Sequence, residues 1–301
     1  MKNILVLTSA GQIGLAIARR IGTGMKIVVS DNSASNAASA ALLLNNAGFD
    51  AVELSCDISS KESVAELIKF AKNLGPITAF VNAAGVSPSQ ASIETILEVD
   101  LYGTAMLLEE IGKVIEPNGV AVTISSQSGH RMPALGEEKD RLLATTPVEE
   151  LLSLDFLQPK NISNTLHAYQ LAKRCNIKRV MAEAVKWGTK KARINSISPG
   201  IIVTPLAIDE FNGPRGGFYK EMFAKCPAGR PGTADEVADL AQLIMDPRSS
   251  FITGSDFLID GGALPPTSTL RYSLSTEPFF KIRRIAQKNL FLYNRISCVP
   301  V

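Results

Sequence analysis

Tyr169 and Lys173 are four residues apart, a spacing that places a phenol and an ammonium group on one face of a helix, one turn apart. A neighbouring positive charge stabilises phenolate and lowers the tyrosine pKa from about 10. A tyrosine adjusted in this way can pass a proton to or from a substrate oxygen. Because the chain has five tyrosines and 31 lysines and arginines, such a pair can arise by chance and needs support from other motifs.

A glycine-containing turn near the N-terminus has the spacing of a phosphate-binding turn. It reads Ser9-x-Gly11-x-x-Gly14, directly after an apolar run, with serine at the first glycine position. Gly11 would let the backbone approach a pyrophosphate, and Gly14 would let the following helix pack closely on the strand. The helix N-terminus would then face the phosphates. An ordinary strand-to-helix turn is the alternative interpretation.

Asp31 ends the second apolar run, where a carboxylate can accept hydrogen bonds from the adenosine ribose hydroxyls. The same charge would repel a 2′-phosphate, and no lysine or arginine lies in the glycine turn or directly after Asp31. The sequence therefore predicts NAD(H) in preference to NADP(H). A solvated aspartate in a turn is the alternative.

The elements that would position these groups alternate between short apolar runs and segments of helical period. Continuous apolar runs are typical of parallel strands that are buried on both faces, and Lys61–Leu74 carries its apolar residues on one helical face. This alternation predicts a single α/β domain, a Rossmann-type doubly wound parallel sheet. The seven predicted strands are Ile4–Leu7, Ile27–Val29, Ala51–Leu54, Ile77–Val81, Val120–Ile124, Ile194–Ile197 and Phe257–Ile259.

Two regions interrupt the alternation. Residues 129–164 are too long for an ordinary connection, and we predict an insert near the substrate mouth with a helical piece at Val148–Leu157. After residue 264, Pro265-Pro266 begins a basic extension that runs to residue 301. We expect residues 1–264 to form the catalytic domain, and the extension to be disordered or loosely docked.

Further motifs follow in the order typical of one family, and the chain resembles the short-chain dehydrogenase/reductases over residues 1–264. Its insert is similar to the long segment that bacterial 3α-hydroxysteroid dehydrogenase/carbonyl reductases carry before the Tyr-x-x-x-Lys helix. The matching motifs are Asp57, Asn82-Ala-Ala-Gly85, Ser125-Ser126, Tyr169-x-x-x-Lys173, Asn195, Pro199-Gly200, Thr204-Pro205, Gly229-Arg-Pro, Gly254 and Gly261-Gly262.

This resemblance implies an NAD(P)-dependent oxidoreductase that interconverts a secondary alcohol and a ketone or aldehyde by hydride transfer. Its implied catalytic residues are Ser126, which would hold the substrate oxygen, Tyr169 as general acid/base, Lys173 and Asp100. The implied cofactor-binding residues are Ser9, Gly11, Gln12, Ile13, Gly14, Asp31, Asp57, Ile58, Asn82, Ala83, Ala84, Gly85, Tyr169, Lys173, Pro199, Gly200, Ile202 and Thr204. The substrate-contact candidates are Ser128, His130 and Leu206.

The chain departs from the family pattern at three places. The glycine turn is short and lacks its first glycine, Asp100 replaces the usual asparagine, and the insert lengthens the segment between Ser126 and Tyr169. A catalytically weak NAD-binding regulatory or structural protein is therefore the alternative function. An α/β-hydrolase is excluded because the chain has no G-x-S-x-G motif.

Composition limits the partners. The net charge of +2 does not favour nucleic acid, and no apolar run is long enough to span a membrane. Scattered cysteines indicate a reduced, cytoplasmic protein, and two histidines make a metal site improbable. We expect a small-molecule alcohol or carbonyl substrate and a homodimer or homotetramer. The dimer is favoured, because an insert before the Tyr169 helix could cover an assembly face that the family often uses.

Overall fold

The computed structural model describes residues 1–213 and 216–264, so the predicted extension at 265–301 lies outside the described residues. Each of the seven predicted apolar runs forms a strand. These strands are β1 Ile4–Thr8, β2 Lys26–Asp31, β3 Asp50–Ser55, β4 Ile77–Asn82, β5 Val120–Ile124, β6 Arg193–Pro199 and β7 Asp256–Ile259.

All seven strands pair in parallel in one sheet of order β3-β2-β1-β4-β5-β6-β7, which confirms the predicted doubly wound class. The strand order reverses direction between β1 and β4, and open α/β sheets bind ligands at the carboxyl ends of strands at such a point. Thr8 Oγ1 donates a hydrogen bond to Asn82 Oδ1 across this boundary, at 2.8 Å.

Helices connect the strands and cover both faces of the sheet. They are α1 Gln12–Ile21, α2 Ala34–Asn46, α3 Lys61–Leu74, α4 Ile93–Ile96, α5 Thr104–Val114, α6 Gln127–Arg131, α7 Glu137–Thr145, α8 Val148–Leu151, α9 Thr165–Gly188, α10 Pro205–Asn212, α11 Gly216–Lys225 and α12 Ala234–Met245. A π-helical segment, Leu97–Gly103, joins α4 to α5. Within the described part of the chain, no helix combines the length and the apolar character that a bilayer span requires.

The core has two layers because successive strand side chains point to opposite faces. Ile4 and Val6 on β1 pack with residues of α3, α5 and α9. Leu5 and Leu7 on the same strand pack with residues of α1, α2 and α12. Each fully buried aliphatic side chain stabilises the fold by about 1.5–3 kcal/mol relative to exposure.

Polar side chains at the N-termini fix where the long helices begin. Asn164 Oδ1 accepts a hydrogen bond from the backbone N–H of His167 at 2.9 Å and starts α9. Thr233 and Glu236 form a reciprocal capping box at the start of α12. The start of α9 fixes the positions of Tyr169 and Lys173, which this helix carries.

The insert is helical, but not over the predicted range. The predicted piece at Val148–Leu157 is only partly helical, because α8 ends at Leu151 and a 3₁₀ turn covers Asp155–Leu157. The longest helix of the insert, α7, was not predicted. Its sequence has no strong apolar period, and Leu143 is its only buried side chain.

Candidate active site

A cleft of about 660 Å³ opens at the carboxyl ends of the central strands. Its walls come from the segments that follow β4, β5 and β6, and from α9 and α11. Twelve of the residues predicted from the sequence line this cleft together. They are Ile13, Ala83, Ala84, Gly85, Ser126, Ser128, Tyr169, Lys173, Pro199, Gly200, Ile202 and Thr204.

The two serines after β5 have different surroundings. Ser125 is buried, and its hydroxyl donates to the backbone carbonyl of Lys173 at 2.8 Å, which ties β5 to α9. Ser126 is only partly buried and begins α6, where its Oγ accepts from the N–H of Ser128 at 3.1 Å. A hydroxyl that accepts in this way keeps its own hydrogen for donation. Ser126 can therefore donate to an oxygen in the cleft.

Tyr169 and Lys173 lie on the same face of α9, and the Lys173 Nζ atom is 5.2 Å from the centroid of the Tyr169 ring. Lys173 is buried, with 4% of its surface exposed. Burial leaves little water to screen the lysine charge, so that charge acts strongly on the neighbouring phenol.

A buried carboxylate faces Lys173 from the π-helical segment. Asp100 is fully buried; its Oδ1 atom accepts from the N–H of Val86 at 2.9 Å, and its Oδ2 atom lies 3.9 Å from Lys173 Nζ. That Oδ2 atom has no hydrogen-bond partner among the described residues. Gly85 leaves room for this arrangement, because a Cβ atom there would stand 2.7 Å from Asp100 Oδ1 and 3.2 Å from Lys173 Nζ.

The charges of this pair depend on burial and on each other. Burial raises the pKa of the Asp100 carboxyl group, and the positive charge of Lys173 opposes that rise. Burial by itself lowers the pKa of Lys173, but the charges of Asp100 and Tyr169 raise it by more, so Lys173 remains an ammonium. In its ionised form, Asp100 offsets part of the positive charge that Lys173 presents to Tyr169.

The turn before α1 fits a dinucleotide pyrophosphate. Gly11 begins α1 without any side-chain cap, and the first turn has no acidic residue, so backbone N–H groups remain for an anion. Gly14 lets the helix approach β1, because a Cβ atom there would lie 3.0 Å from Leu7 Cδ1. Ser9 has φ of 129°, a region that favours glycine, and its Oγ atom accepts from the N–H of Gly11 at 3.0 Å. Ser9 therefore has a backbone conformation that glycine, the usual residue at this position of the motif, adopts more easily.

Asp31 lies beside this turn at the end of β2. Its Oδ2 atom accepts from the N–H of Ala10 at 3.0 Å, and its Oδ1 atom accepts from the N–H of Ser33 at 3.0 Å. A carboxylate has about four lone-pair positions, so it can still accept from ribose hydroxyls. Asp57 accepts from the N–H and hydroxyl of Ser59 just after β3, and the next residue, Ile58, is buried.

Two further predicted residues shape the backbone of the site. Asn82 is buried, and its amide contacts Thr8, Thr104 and the N–H of Ala84, so it fixes the turn that contains Ala83–Gly85. Thr204 lines the cleft, and its Oγ1 atom accepts from the N–H of Ala207 at 3.2 Å near the start of α10.

Some predicted residues are not brought into the cleft. His130 is exposed and contacts Asp256 Oδ2 through Nε2 at 2.7 Å, and it is not among the residues that line the cleft. Leu206 lies in α10, but its side chain lies outside the described part of the chain. Several other residues of the wall have no motif that marks them in the sequence, among them Arg131, Gln170 and Met222.

Comparison with known proteins gives two matching family models, described as short chain dehydrogenase over residues 2–137 and as Enoyl-(Acyl carrier protein) reductase over residues 140–263. The chain is 36% identical over 264 residues to the short-chain dehydrogenase/reductase bsc3 of Alternaria brassicicola, covering 87% of this chain and 96% of that protein. It is 28% identical over 216 residues to the 3-alpha-hydroxysteroid dehydrogenase/carbonyl reductase of Comamonas testosteroni, covering 70% of this chain and 80% of that protein.

Solved structures share the same fold. One is a short-chain dehydrogenase/reductase from Serratia marcescens, with a TM-score of 0.68 and 19% sequence identity, covering 87% of this chain and 97% of that one. At that identity the likeness concerns the fold alone.

Proposed function

Because this chain belongs to the short-chain dehydrogenase/reductase family, we propose that it interconverts a secondary alcohol and a ketone or aldehyde by hydride transfer. The observation that carries the proposal is the meeting of Ser126, Tyr169 and Lys173 in one cleft. A protein that had lost turnover would have no need to keep these three groups together, so the regulatory alternative gains no support from this arrangement.

Side chains of the protein transfer the proton between the substrate oxygen and Tyr169. In the reductive direction, Ser126 donates a hydrogen bond to the substrate carbonyl oxygen, and Tyr169 gives its phenolic proton to the same oxygen. Lys173 stabilises the phenolate that remains. In the oxidative direction, the Tyr169 phenolate takes the hydroxyl proton. A bound nicotinamide cofactor supplies or accepts the hydride in these two directions.

For the cofactor, we propose NAD(H) in preference to NADP(H). The uncapped N-terminus of α1 would hold the pyrophosphate, and Ala83–Gly85 and Thr204 would line the nicotinamide end. Support for the preference comes from Asp31, whose carboxylate lies beside the phosphate turn and would repel a 2′-phosphate. We also propose a cytoplasmic location, since Cys56, Cys175 and Cys226 are buried free thiols.

A Tyr169→Phe variant tests the proposed function. We expect turnover of a panel of ketones, followed by absorbance of the reduced nicotinamide, to fall by about 10²–10⁴-fold, because the variant cannot transfer the proton. Fluorescence titration of the same variant should show unchanged NADH binding, and NADH should bind more tightly than NADPH.

Tyr102→Phe is the matched control, since Tyr102 lies in the π-helical segment and does not line the cleft. It should retain wild-type turnover. Near-normal turnover by Tyr169→Phe would falsify the acid/base assignment. Wild-type protein that binds NADH but reduces no ketone in the panel would support the regulatory alternative instead.

A further inference from the structure

The described wall of the cleft carries positive charge and no carboxylate. Two of its residues are cationic at neutral pH, Lys173 and Arg131, and none is aspartate or glutamate. Lys173 has a neighbouring carboxylate behind the wall, because Asp100 Oδ2 is 3.9 Å from its ammonium group. Among the described side chains, Arg131 has no such carboxylate neighbour, and its printed contact is with the neutral side chain of Met222.

Arg131 is a partly buried guanidinium group with a poor protein partner. It ends α6, and its Nη2 atom contacts the thioether sulfur of Met222 on α11 at 3.1 Å. A thioether is a weak, neutral acceptor, whereas a guanidinium offers five N–H donors. No ion pair is formed by Arg131 within the described ranges, although Arg174, Arg230 and Arg248 each bond a carboxylate.

A partly buried charge without a counter-charge is less favourable than a paired one, and a ligand in the cleft can supply the missing counter-charge. We propose that Arg131 binds an anionic substituent of the substrate, so that the enzyme acts on carbonyl or alcohol compounds bearing a carboxylate. This inference rests on the proposed function for the reaction itself, and it adds the charge of the substrate.

The position of Arg131 assigns the anion to the substrate and not to the cofactor phosphates. The phosphate-binding turn follows β1, whereas α6 follows β5, and β4 lies between these strands. Two strand spacings amount to about 10 Å. Ile13 is the residue of the phosphate-binding turn that lines the cleft, whereas Met222, which contacts Arg131, is on α11, the second helix after β6 in the chain. Arg131 thus belongs to a segment whose strand is two positions along the sheet from the strand before the pyrophosphate site.

A carboxylate suits this arginine because the planar guanidinium fork can bind both carboxylate oxygens at once. The contact to Met222 would be exchanged for two charge-assisted hydrogen bonds. Ser128 and Gln170 also line the cleft, and a hydroxyl and an amide can complete the polar contacts of a carboxylate. Ser126 and Tyr169 would then hold the carbonyl oxygen while Arg131 fixes the other end.

The test compares 4-acetylbenzoate with its methyl ester, two ketones that differ in one negative charge. Wild-type enzyme should show a higher kcat/KM for the acid. Arg131→Met should lower kcat/KM for the acid by about 10- to 100-fold, which is the effect expected from losing hydrogen bonds to a charged group. The kcat/KM of the same variant for the ester should stay within a factor of about three of the wild-type value. Arg131→Lys should give an intermediate loss, because lysine keeps the charge but not the fork.

Arg141→Met serves as the control, because it removes the same charge from an exposed arginine outside the cleft. This variant should keep the wild-type kcat/KM for both the acid and the ester. Equal losses for acid and ester in Arg131→Met, or no loss for either, would overturn the inference. Binding is measured separately by calorimetry of both compounds with NAD⁺ present. If the acid binds more tightly than the ester in an Arg131-dependent way but no hydride transfer occurs, the anion site is supported. The proposed function is then wrong.

Discussion

At the scale of single residues, the unusual group is Asp100, a buried acid where the family usually has asparagine. Its Oδ2 atom faces Lys173, and its Oδ1 atom binds the N–H of Val86. The negative charge reduces the positive field that Lys173 exerts on Tyr169. An asparagine at this position could keep the Val86 hydrogen bond without that charge, so the substitution isolates the electrostatic effect.

Asp100→Asn should shift the pH dependence of alcohol oxidation. Oxidation requires the Tyr169 phenolate, and removal of the neighbouring carboxylate strengthens its stabilisation by Lys173. The pH of half-maximal kcat should therefore move downward, by an amount on the order of one unit. Thermal unfolding of the variant at the same pH values provides the control for folding. An unchanged midpoint in a folded variant would mean that Asp100 does not act on Tyr169 through its charge.

The sequence could predict the residues that belong to spaced motifs, since Ser126, Tyr169 and Lys173 do meet in one cleft. It could not identify Arg131. Five residues after Ser126, an arginine looks like any other surface cation. What distinguishes it is that, among the described side chains, it contacts the neutral thioether of Met222 and no carboxylate, and that contact is made only in the folded chain.

At the scale of elements, the insert is fastened to α9 by polar contacts. Asp140 on α7 accepts two hydrogen bonds from Arg174, both at 2.6 Å, and lies 3.4 Å from Lys178. The buried guanidinium of Arg179 donates to the carbonyl oxygen of Thr146 at the end of α7. Burial opposes ionisation of Asp140, but Arg174 and Lys178 outweigh it and hold the pKa of the carboxyl group below its ordinary value.

Asp140→Asn should destabilise the protein at pH 7 by roughly 1–3 kcal/mol, because it leaves Arg174 without its carboxylate. The lowered pKa of Asp140 means that this stabilisation is complete above the unfolded-state carboxyl range and is lost as pH falls through the lowered value. The difference in stability between wild type and variant should therefore shrink below about pH 4. Urea unfolding at several pH values measures it.

Glu138→Gln is the appropriate control, since Glu138 is an exposed acid on the same helix. It should leave stability nearly unchanged over the same range. If Asp140→Asn and Glu138→Gln behave alike at pH 7, the contact with Arg174 contributes little and the apolar residues of the insert hold it in place.

Elements with a clear period were predictable, whereas those fixed by tertiary contacts were not. Lys61–Leu74 forms the predicted helix with the predicted bounds, because its apolar face and the Ser60 cap are local signals. The π-helical turn around Asp100 and helix α7 have no such signal. The position of α7 depends on polar contacts with α9, whose partners are distant in the sequence.

At the scale of the whole molecule, Met1–Leu264 forms one compact unit that contains every site residue named above. A chain that ends after Pro266 should therefore fold, bind NADH and turn over at a rate comparable to the full chain. Circular dichroism, NADH titration and ketone reduction measure these properties. A chain that ends before β7 is the contrasting control and should not fold, because it lacks a strand of the sheet. Loss of NADH binding on removal of residues 267–301 would show that the extension belongs to the functional core.

The insert also bears on assembly. The α7 helix packs on α9, and Lys61 on α3 binds Glu149 of the insert at 2.9 Å, so the insert covers part of this side of the molecule. We expect a homodimer rather than a homotetramer in sedimentation velocity, with the same result for the chain ending after Pro266. A tetramer would show that the covered side does not limit assembly.

The fastening of the insert also restricts how such a segment can be gained or lost during evolution. Deleting it in one step would leave the buried Arg179 without the Thr146 carbonyl and would expose apolar residues of α9 such as Leu171 and Cys175 to water. Each of these changes is costly. A viable descendant without the segment would have to replace several residues of α9 first, while Tyr169 and Lys173 on the same helix stayed unchanged. We therefore expect the presence of this segment and the residues on the face of α9 that it covers to change together.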